Sequence, residues 1–374
     1  MRSNKMIPVS KPALGIEELE AVKKVFDSAW LGLGSTVFEF EKLIGEYIGV
    51  RHVIALSSGT TALHIALDAC GIGDGDEVIV PSLTFCATIQ AITALRAKPV
   101  FCEIDPETLN MDIVDAQRRI TKKTKAIIPV HYCGQPCDME KLLALGREYN
   151  IHIVEDAAHA IGSSFKGKKI GSFGNPTCFS FDPIKNITCG EGGAVALEDD
   201  NKAEIIRRKR ILGIDKDTWQ RYKNRRSWVY EVTTQGYRYH MSNINAAIGI
   251  AQLSKIERFI KRKKEIVERY NEFFSNIKSL KPLTWNLENT APFIYILRVL
   301  NNKRDELMDT LKNKGIECGI HYIPNHLQPF FKTFGGQLPI TEQVYSEIIT
   351  LPLYYDMTNS DVEYVIESVN KFFD

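Results

Sequence analysis

Through the first two thirds of the chain, short apolar runs alternate with stretches of helical pattern. Val53-Ile54-Ala55-Leu56, Glu77-Val78-Ile79-Val80, Pro99-Val100-Phe101-Cys102, Thr124 to Val130 and Ile151 to Glu155 are of strand length and apolar at consecutive positions. A strand apolar on both faces has to be covered on both faces, and intervening helices supply that cover in parallel crossover units. Thr60 to Ala69 places Leu63, Ala66 and Leu67 on one helical face, and further helices are predicted from about Ala87 to Leu95 and near Met139 to Tyr149. Cys178 to Phe181 and Gly193 to Leu197 read as two more strands of the same sheet. The expected fold class is α/β, a mostly parallel central sheet flanked by helices.

After residue 200 the texture changes. Lys202 to Arg210 reads as a basic helix, Asp215 to Val229 as a polar and aromatic loop, and Ser242 to Asn276 as one long charged helix. Beyond it, Phe293 to Val299 reads as a strand, and Arg304 to Lys314 and Asn359 to Phe373 as helices, a smaller α+β unit. We therefore expect a large domain over 1–250 and a small C-terminal domain over 251–374, within the two or three domains that 374 residues suggest.

The charges nearly cancel, 47 basic against 46 acidic residues. That balance speaks against a broad grip on nucleic acid or on an anionic membrane. No run approaches the ~20 apolar residues of a spanning helix. Met1 to Pro8 lacks the apolar core of a secretory signal. Of the eight cysteines only Cys133 and Cys137 are close, and no second ligand pair follows them. The expectation is reduced thiols in a cytoplasmic protein, with no metal site.

Three segments carry chemistry. Ser57-Ser58-Gly59-Thr60-Thr61 joins a strand to a helix, where unpaired backbone N–H groups and the helix dipole favour an anion. The same residues also read as an ordinary N-cap. Glu155-Asp156-Ala157-Ala158-His159 ends a strand, which points a carboxylate at the crevice where open sheets bind ligands; a helix cap and a structural histidine are the plainer alternatives. Lys185 lies between the apolar strand around Phe179 and the glycine-rich turn Gly190-Glu191-Gly192-Gly193. Desolvation there would lower its pKa and make it an amine nucleophile, whereas a solvated loop would leave it a surface charge. Taken together, an anion cradle, an acid and a buried lysine are the groups that pyridoxal 5'-phosphate (PLP) requires.

On these segments the chain resembles the DegT/DnrJ/EryC1/StrS family of sugar aminotransferases, PLP enzymes of fold-type I. The resemblance continues through Pro129-Val130-His131-Tyr132, Gly236 to Leu253, His321-Tyr322 and Leu351-Pro352-Leu353. It implies that Lys185 is the Schiff-base lysine, that Asp156 partners the pyridine nitrogen, and that His159 lies beside the ring oxygen. It also implies that Phe85 stacks on the ring and that Gly59, Thr60 and Ser180 cradle the phosphate. Where the family often has Gly-Tyr-Asn-Tyr-Arg, this chain has Gly236-Tyr237-Arg238-Tyr239-His240. Arg238 is thereby a candidate contact to the phosphate of a neighbouring subunit in a homodimer with shared sites, or else a surface charge.

The implied reaction is transamination in two halves, with pyridoxamine 5'-phosphate (PMP) as the intermediate cofactor form. L-glutamate would be the donor and a nucleotide-linked keto sugar, a 4-keto-6-deoxyhexose, the acceptor, giving an amino sugar for lipopolysaccharide O-antigen or a related surface glycan. Arg221 and Arg225, in a basic run with Lys216, Lys223, Arg226 and Trp228, are candidates for the diphosphate, and His321, Tyr322 and His326 for the sugar. A 3-keto sugar aminotransferase and a non-catalytic PLP-binding regulator are the alternatives. A related dehydratase would carry His at the Lys185 position.

Overall fold

The structure is a computed structural model and describes residues 6–214 and 230–373. Its first strands and helices alternate: α1 (Ile16–Asp27), α2 (Ser35–Ile48), β1 (His52–Leu56), α3 (Gly59–Ala69), β2 (Glu77–Pro81), α4 (Cys86–Ala94), β3 (Lys98–Cys102), α5 (Ile113–Arg118), β4 (Thr124–Ile127) and α6 (Met139–Tyr149). Then come β5 (His152–Ile153), β6 (Glu155–Asp156), the small hairpin β7 (Ser164–Phe165) with β8 (Lys168–Lys169), β9 (Thr177–Ser180), β10 (Gly193–Leu197) and α7 (Asp200–Lys209).

The central sheet has the order β3–β2–β4–β5 on one side and β6–β9–β10–β1 on the other. The two sides are continuous, because β5 and β6 are parts of one strand interrupted at Val154. Asp156 N–H donates to the Pro129 carbonyl at 2.9 Å, and the Asp156 carbonyl accepts from His131 N–H at 3.1 Å. β2 is parallel to β3 and β4, β4 to β5, and β6 to β9. β10 runs antiparallel to both β9 and β1. The α/β, mostly parallel architecture expected from the sequence is present.

Successive strand residues enter two different cores. Val53, Ala55, Ile79, Phe179, Ala194 and Ala196 face one apolar cluster. Their neighbours Ile54, Leu56, Val78, Val80, Cys178, Val195 and Leu197 face the other. That is the period of two on a pleated sheet, written twice, and it explains why the strands are apolar at consecutive positions.

A second, antiparallel sheet of β11 (Leu280–Pro282), β12 (Tyr295–Val299) and β13 (Ile348–Leu351) packs its own core with Tyr270, Phe274, Leu307 and Val365. Ile7 joins this core, and its N–H donates to the Gly315 carbonyl at 2.9 Å. Ser242 to Asn276 reads in sequence as one long charged helix, whereas the structure divides it into Asn243–Leu253 and Ile256–Phe274. Glu18 on α1 holds the break, accepting from Gln252 Nε2 at 2.7 Å and pairing with Lys255 Nζ. The loop predicted from Asp215 to Val229 lies outside the described residues.

Candidate active site

The site lies where β1, β2, β6 and β9 hand over to their following segments, the end of an open sheet at which ligands bind. A cleft of about 250 Å³ there is lined by residues that include Gly59, Thr60, Phe85, Asp156, His159, Ser180, Lys185, His321 and Tyr322.

At one end is the N-terminus of α3. Ser58 Oγ accepts from Thr61 N–H at 3.1 Å, and Thr61 Oγ1 accepts from Ser58 N–H at 3.1 Å. This reciprocal cap, of the kind worth about 1 kcal/mol, leaves the amides of Gly59 and Thr60 at the dipole end without an intrahelical acceptor. The packing requires glycine: a Cβ on Gly59 would stand 2.8 Å from Ser180 Cβ, and one on Gly193 would stand 2.2 Å from the Ser58 carbonyl oxygen. The capping and the anion-cradle readings of this segment therefore coexist in one geometry.

Asp156 ends β6, almost wholly buried. Its Oδ2 accepts from Thr88 Oγ1 at 2.8 Å and its Oδ1 from Ala158 N–H at 3.1 Å. Burial raises its pKa, opposed by those two hydrogen bonds and the charge of Lys185. Beneath it, His131 Nδ1 accepts the Cys137 N–H at 3.0 Å. The ring proton therefore sits on Nε2, which donates to Glu155 at 2.8 Å in a fully buried pair.

Lys185 occupies the turn after β9, where its N–H donates to the Asp182 carbonyl at 3.1 Å. Its Nζ lies 4.2 Å from the centre of the Phe293 ring. Burial brings its pKa down to about 8, with the Asp182 and Asp156 carboxylates pulling the other way. His159 is buried, its ring 4.3 Å from Phe293. Its Nε2 is 3.1 Å from Tyr322 Oη, while Nδ1 is buried with no hydrogen-bond partner among the described residues. Burial, reinforced by the Lys185 charge, holds His159 well below the usual histidine range, so it is neutral. Burial likewise keeps Tyr322 a phenol. Phe85 stands at the start of α4, the residue 55 % exposed and its ring 5.5 Å from that of Tyr322.

His321 hydrogen-bonds Thr350 Oγ1 at 2.8 Å, and burial takes its pKa down to about 4. His326 is not among the cleft residues. Its Nδ1 lies 2.7 Å from Ser82 Oγ and its Nε2 3.2 Å from Glu342. Together with Asn325, whose Nδ2 donates to the carbonyls of Ser82 and Thr84, it ties the second unit to the β2–α4 turn. Arg238 lines a separate groove with Trp30, Leu31, Ile211 and His240 and is not among the residues lining the cleft of its own chain. Arg221 and Arg225 lie outside the described residues. Thr88, Phe293 and Asn325 belong to the site or its support and carry no signal in sequence, because their roles arise from contacts across the fold.

Residues 12–370 match the DegT/DnrJ/EryC1/StrS aminotransferase family. The chain belongs to this family. It is 43% identical to the uncharacterized protein MJ1066 of Methanocaldococcus jannaschii, over 98% of this chain and 97% of that one. It is 39% identical to the spore coat polysaccharide biosynthesis protein SpsC of Bacillus subtilis, with the same shares covered. Spr1654 of Streptococcus pneumoniae, assigned as a sugar aminotransferase and solved in its PMP form, superposes with a TM-score of 0.92 at 31% identity, covering 98% of each chain. The same protein is also known in a PLP form. The aminotransferase is thus of fold-type I, and its cofactor is PLP. The cleft fits that group: a helix N-terminus packed too closely for a Cβ suits a phosphate, and a buried unpartnered histidine nitrogen and an acid suit a polar ring.

Proposed function

We propose that this enzyme moves the amino group of L-glutamate to a nucleoside-diphosphate-linked keto sugar, a 4-keto-6-deoxyhexose, producing an amino sugar for a surface glycan. The observation that carries the chemistry is Lys185, an amine brought down to about 8 in the same cleft as a buried carboxylate and an open helix N-terminus. The name of SpsC, a polysaccharide biosynthesis protein, supports the destination.

Bound PLP supplies an electron sink that stabilises negative charge at the donor α-carbon. In our reading the Gly59 and Thr60 amides and the Ser180 hydroxyl hold its phosphate. Asp156 holds the pyridine nitrogen, kept in place by Thr88 and Ala158. His159 offers its free Nδ1 to the ring oxygen, and Phe85 covers a ring face. Lys185 would anchor the cofactor, and its free amine would take the proton from the donor α-carbon. With a pKa near 8 about a tenth of the amine is neutral at pH 7, far more than for an exposed lysine.

His321 and Tyr322 would face the sugar, and Arg221 and Arg225 the diphosphate. His326 would act by anchoring their loop. Arg238, which lines a separate groove and not its own chain's cleft, would serve the phosphate of a second subunit in a homodimer. All eight cysteines are unpaired, in keeping with action in the cytoplasm. A panel of UDP-, GDP- and dTDP-linked 3-keto and 4-keto sugars, incubated with glutamate and read by mass and NMR, tests the substrate. Amination of a 4-keto-6-deoxy sugar supports the proposal. Turnover confined to 3-keto sugars, or turnover of no nucleotide sugar at all, overturns it.

A further inference from the structure

Helix Ile256–Phe274 buries Phe259, Ile260, Ile266, Val267 and Tyr270, and Lys263 stands in the middle of that apolar stripe, itself 6% exposed. Such a position costs an ammonium its hydration. Burial takes Lys263 down to about 7, the charge of Lys185 adds to the effect, and no described carboxylate offsets it. Lys263 does not line the cleft. Its Nζ donates to Asn186 Oδ1 at 2.9 Å. Asn186 follows Lys185 directly, and its Nδ2 donates to the Ala291 carbonyl at 3.2 Å. Two residues beyond Ala291 is Phe293, over whose ring the Lys185 amine rests. One buried amide therefore ties the turn carrying the amine to the segment carrying its aromatic support, and Lys263 fixes that amide.

We propose that Lys263 is a positioning residue for Lys185, acting through Asn186 to hold the amine over Phe293 and at the place from which it reacts. The proposal rests on Lys185 being the reactive lysine. An amine that alternates between cofactor attachment and proton transfer must return to one position, and small misplacements of reacting groups are costly. The charged and titratable groups around Lys185 are Asp182 on its own turn, Asp156 on β6, Glu191 on the glycine-rich turn, the neutral His159 and His321, the phenol of Tyr322, and Lys263 behind Asn186. Lys263, brought down to about 7, is largely neutral where Lys185 titrates near 8, so it acts by position: releasing the Asn186 amide lets the Lys185 nitrogen leave its buried place, and burial is what holds its pKa down.

The test uses holoenzyme with Lys263→Met, Asn186→Ala and both together. Two quantities are read: the pH midpoint of the visible absorption of the lysine-linked cofactor, and the rate at which saturating L-glutamate bleaches it. Lys263→Met should keep the visible band, raise its midpoint and slow bleaching about tenfold, with the half-saturating glutamate concentration changed less than about twofold. Asn186→Ala should slow bleaching comparably, and the double variant should be no slower than about twofold beyond the slower single variant. An unmoved midpoint in Lys263→Met, or losses that multiply in the double variant, overturns the proposal. If Lys263→Met does not fold, Asn186→Ala decides: wild-type bleaching overturns the proposal, and slowed bleaching with a moved midpoint sustains it. Failure of the underlying reading would look different, as a wild-type protein that shows no visible band or that glutamate does not bleach.

Discussion

Asp156 has two hydrogen-bond donors, and one of them, Thr88, comes from α4, far away in sequence. Replacing Thr88 by Val removes a hydrogen bond to a charged group while keeping the shape, a loss of about 1.5 kcal/mol. We expect about tenfold weaker cofactor binding, measured by absorbance titration, and a carboxyl that titrates still higher. Unchanged affinity would show that Asp156 does not bear on the cofactor. At this scale the strand-end and turn positions of Asp156, His159 and Lys185 were legible in the pattern of apolar runs, and the roles proposed for them come from the family resemblance. Thr88, Phe293 and Asn325 were not, since nothing local distinguishes a threonine that meets a carboxylate 68 positions away. Lys263 was not legible either, because the surrounding charges of its helix hide a lysine that stands among buried apolar residues.

Among the elements, the approach of the α3 N-terminus to β9 and β10 is what shapes the phosphate end. Gly193→Ala puts a methyl group 2.2 Å from the Ser58 carbonyl oxygen, backbone that cannot swing aside. We expect a loss of about 1–3 kcal/mol in thermal or denaturant unfolding together with weaker retention of the cofactor. A variant with wild-type stability and wild-type cofactor retention would show that the β1–α3 junction gives way easily. The strand and helix alternation, the bounds of α6 and the last helix, Asn359–Phe373, agree with what hydrophobic period predicts. The antiparallel direction of β10 does not follow from period, which carries no direction. The break between Leu253 and Ile256 depends on Glu18, a contact across the fold. The six-residue α5 falls below what a periodic pattern can define, and the strand read over Ile151 to Glu155 is interrupted at Val154 into β5 and β6.

For the whole molecule, buried amines make stability depend on pH. Lys185 and Lys263 bind their protons less tightly folded, at about 8 and about 7, than an unfolded lysine near 10.5. Between those limits the unfolded chain holds more protons, so their contribution to stability rises with pH and the penalty is complete below about 7. Lys263→Met removes one such penalty. Its thermal midpoint relative to wild type should therefore be more favourable at pH 6 than at pH 9; an equal difference at both would mean Lys263 is well solvated. His321 acts in the same sense at lower pH: brought down to about 4, it loses stability as pH falls from 6.5. The docking of the second sheet's segment through Asn325 and His326 on the Ser82 turn was not legible in the sequence, because it is made between positions more than 240 residues apart.

The account turns on Lys185 as the residue that carries the cofactor, and borohydride reduction of the holoenzyme followed by peptide mapping tests it directly. Reduction fixes the cofactor to whichever amine holds it. We predict a phosphopyridoxyl mass on the peptide containing Lys185 and on no other lysine peptide. The same mass on the peptide containing Lys263, or its absence from every peptide of a protein that absorbs in the visible, would contradict the account.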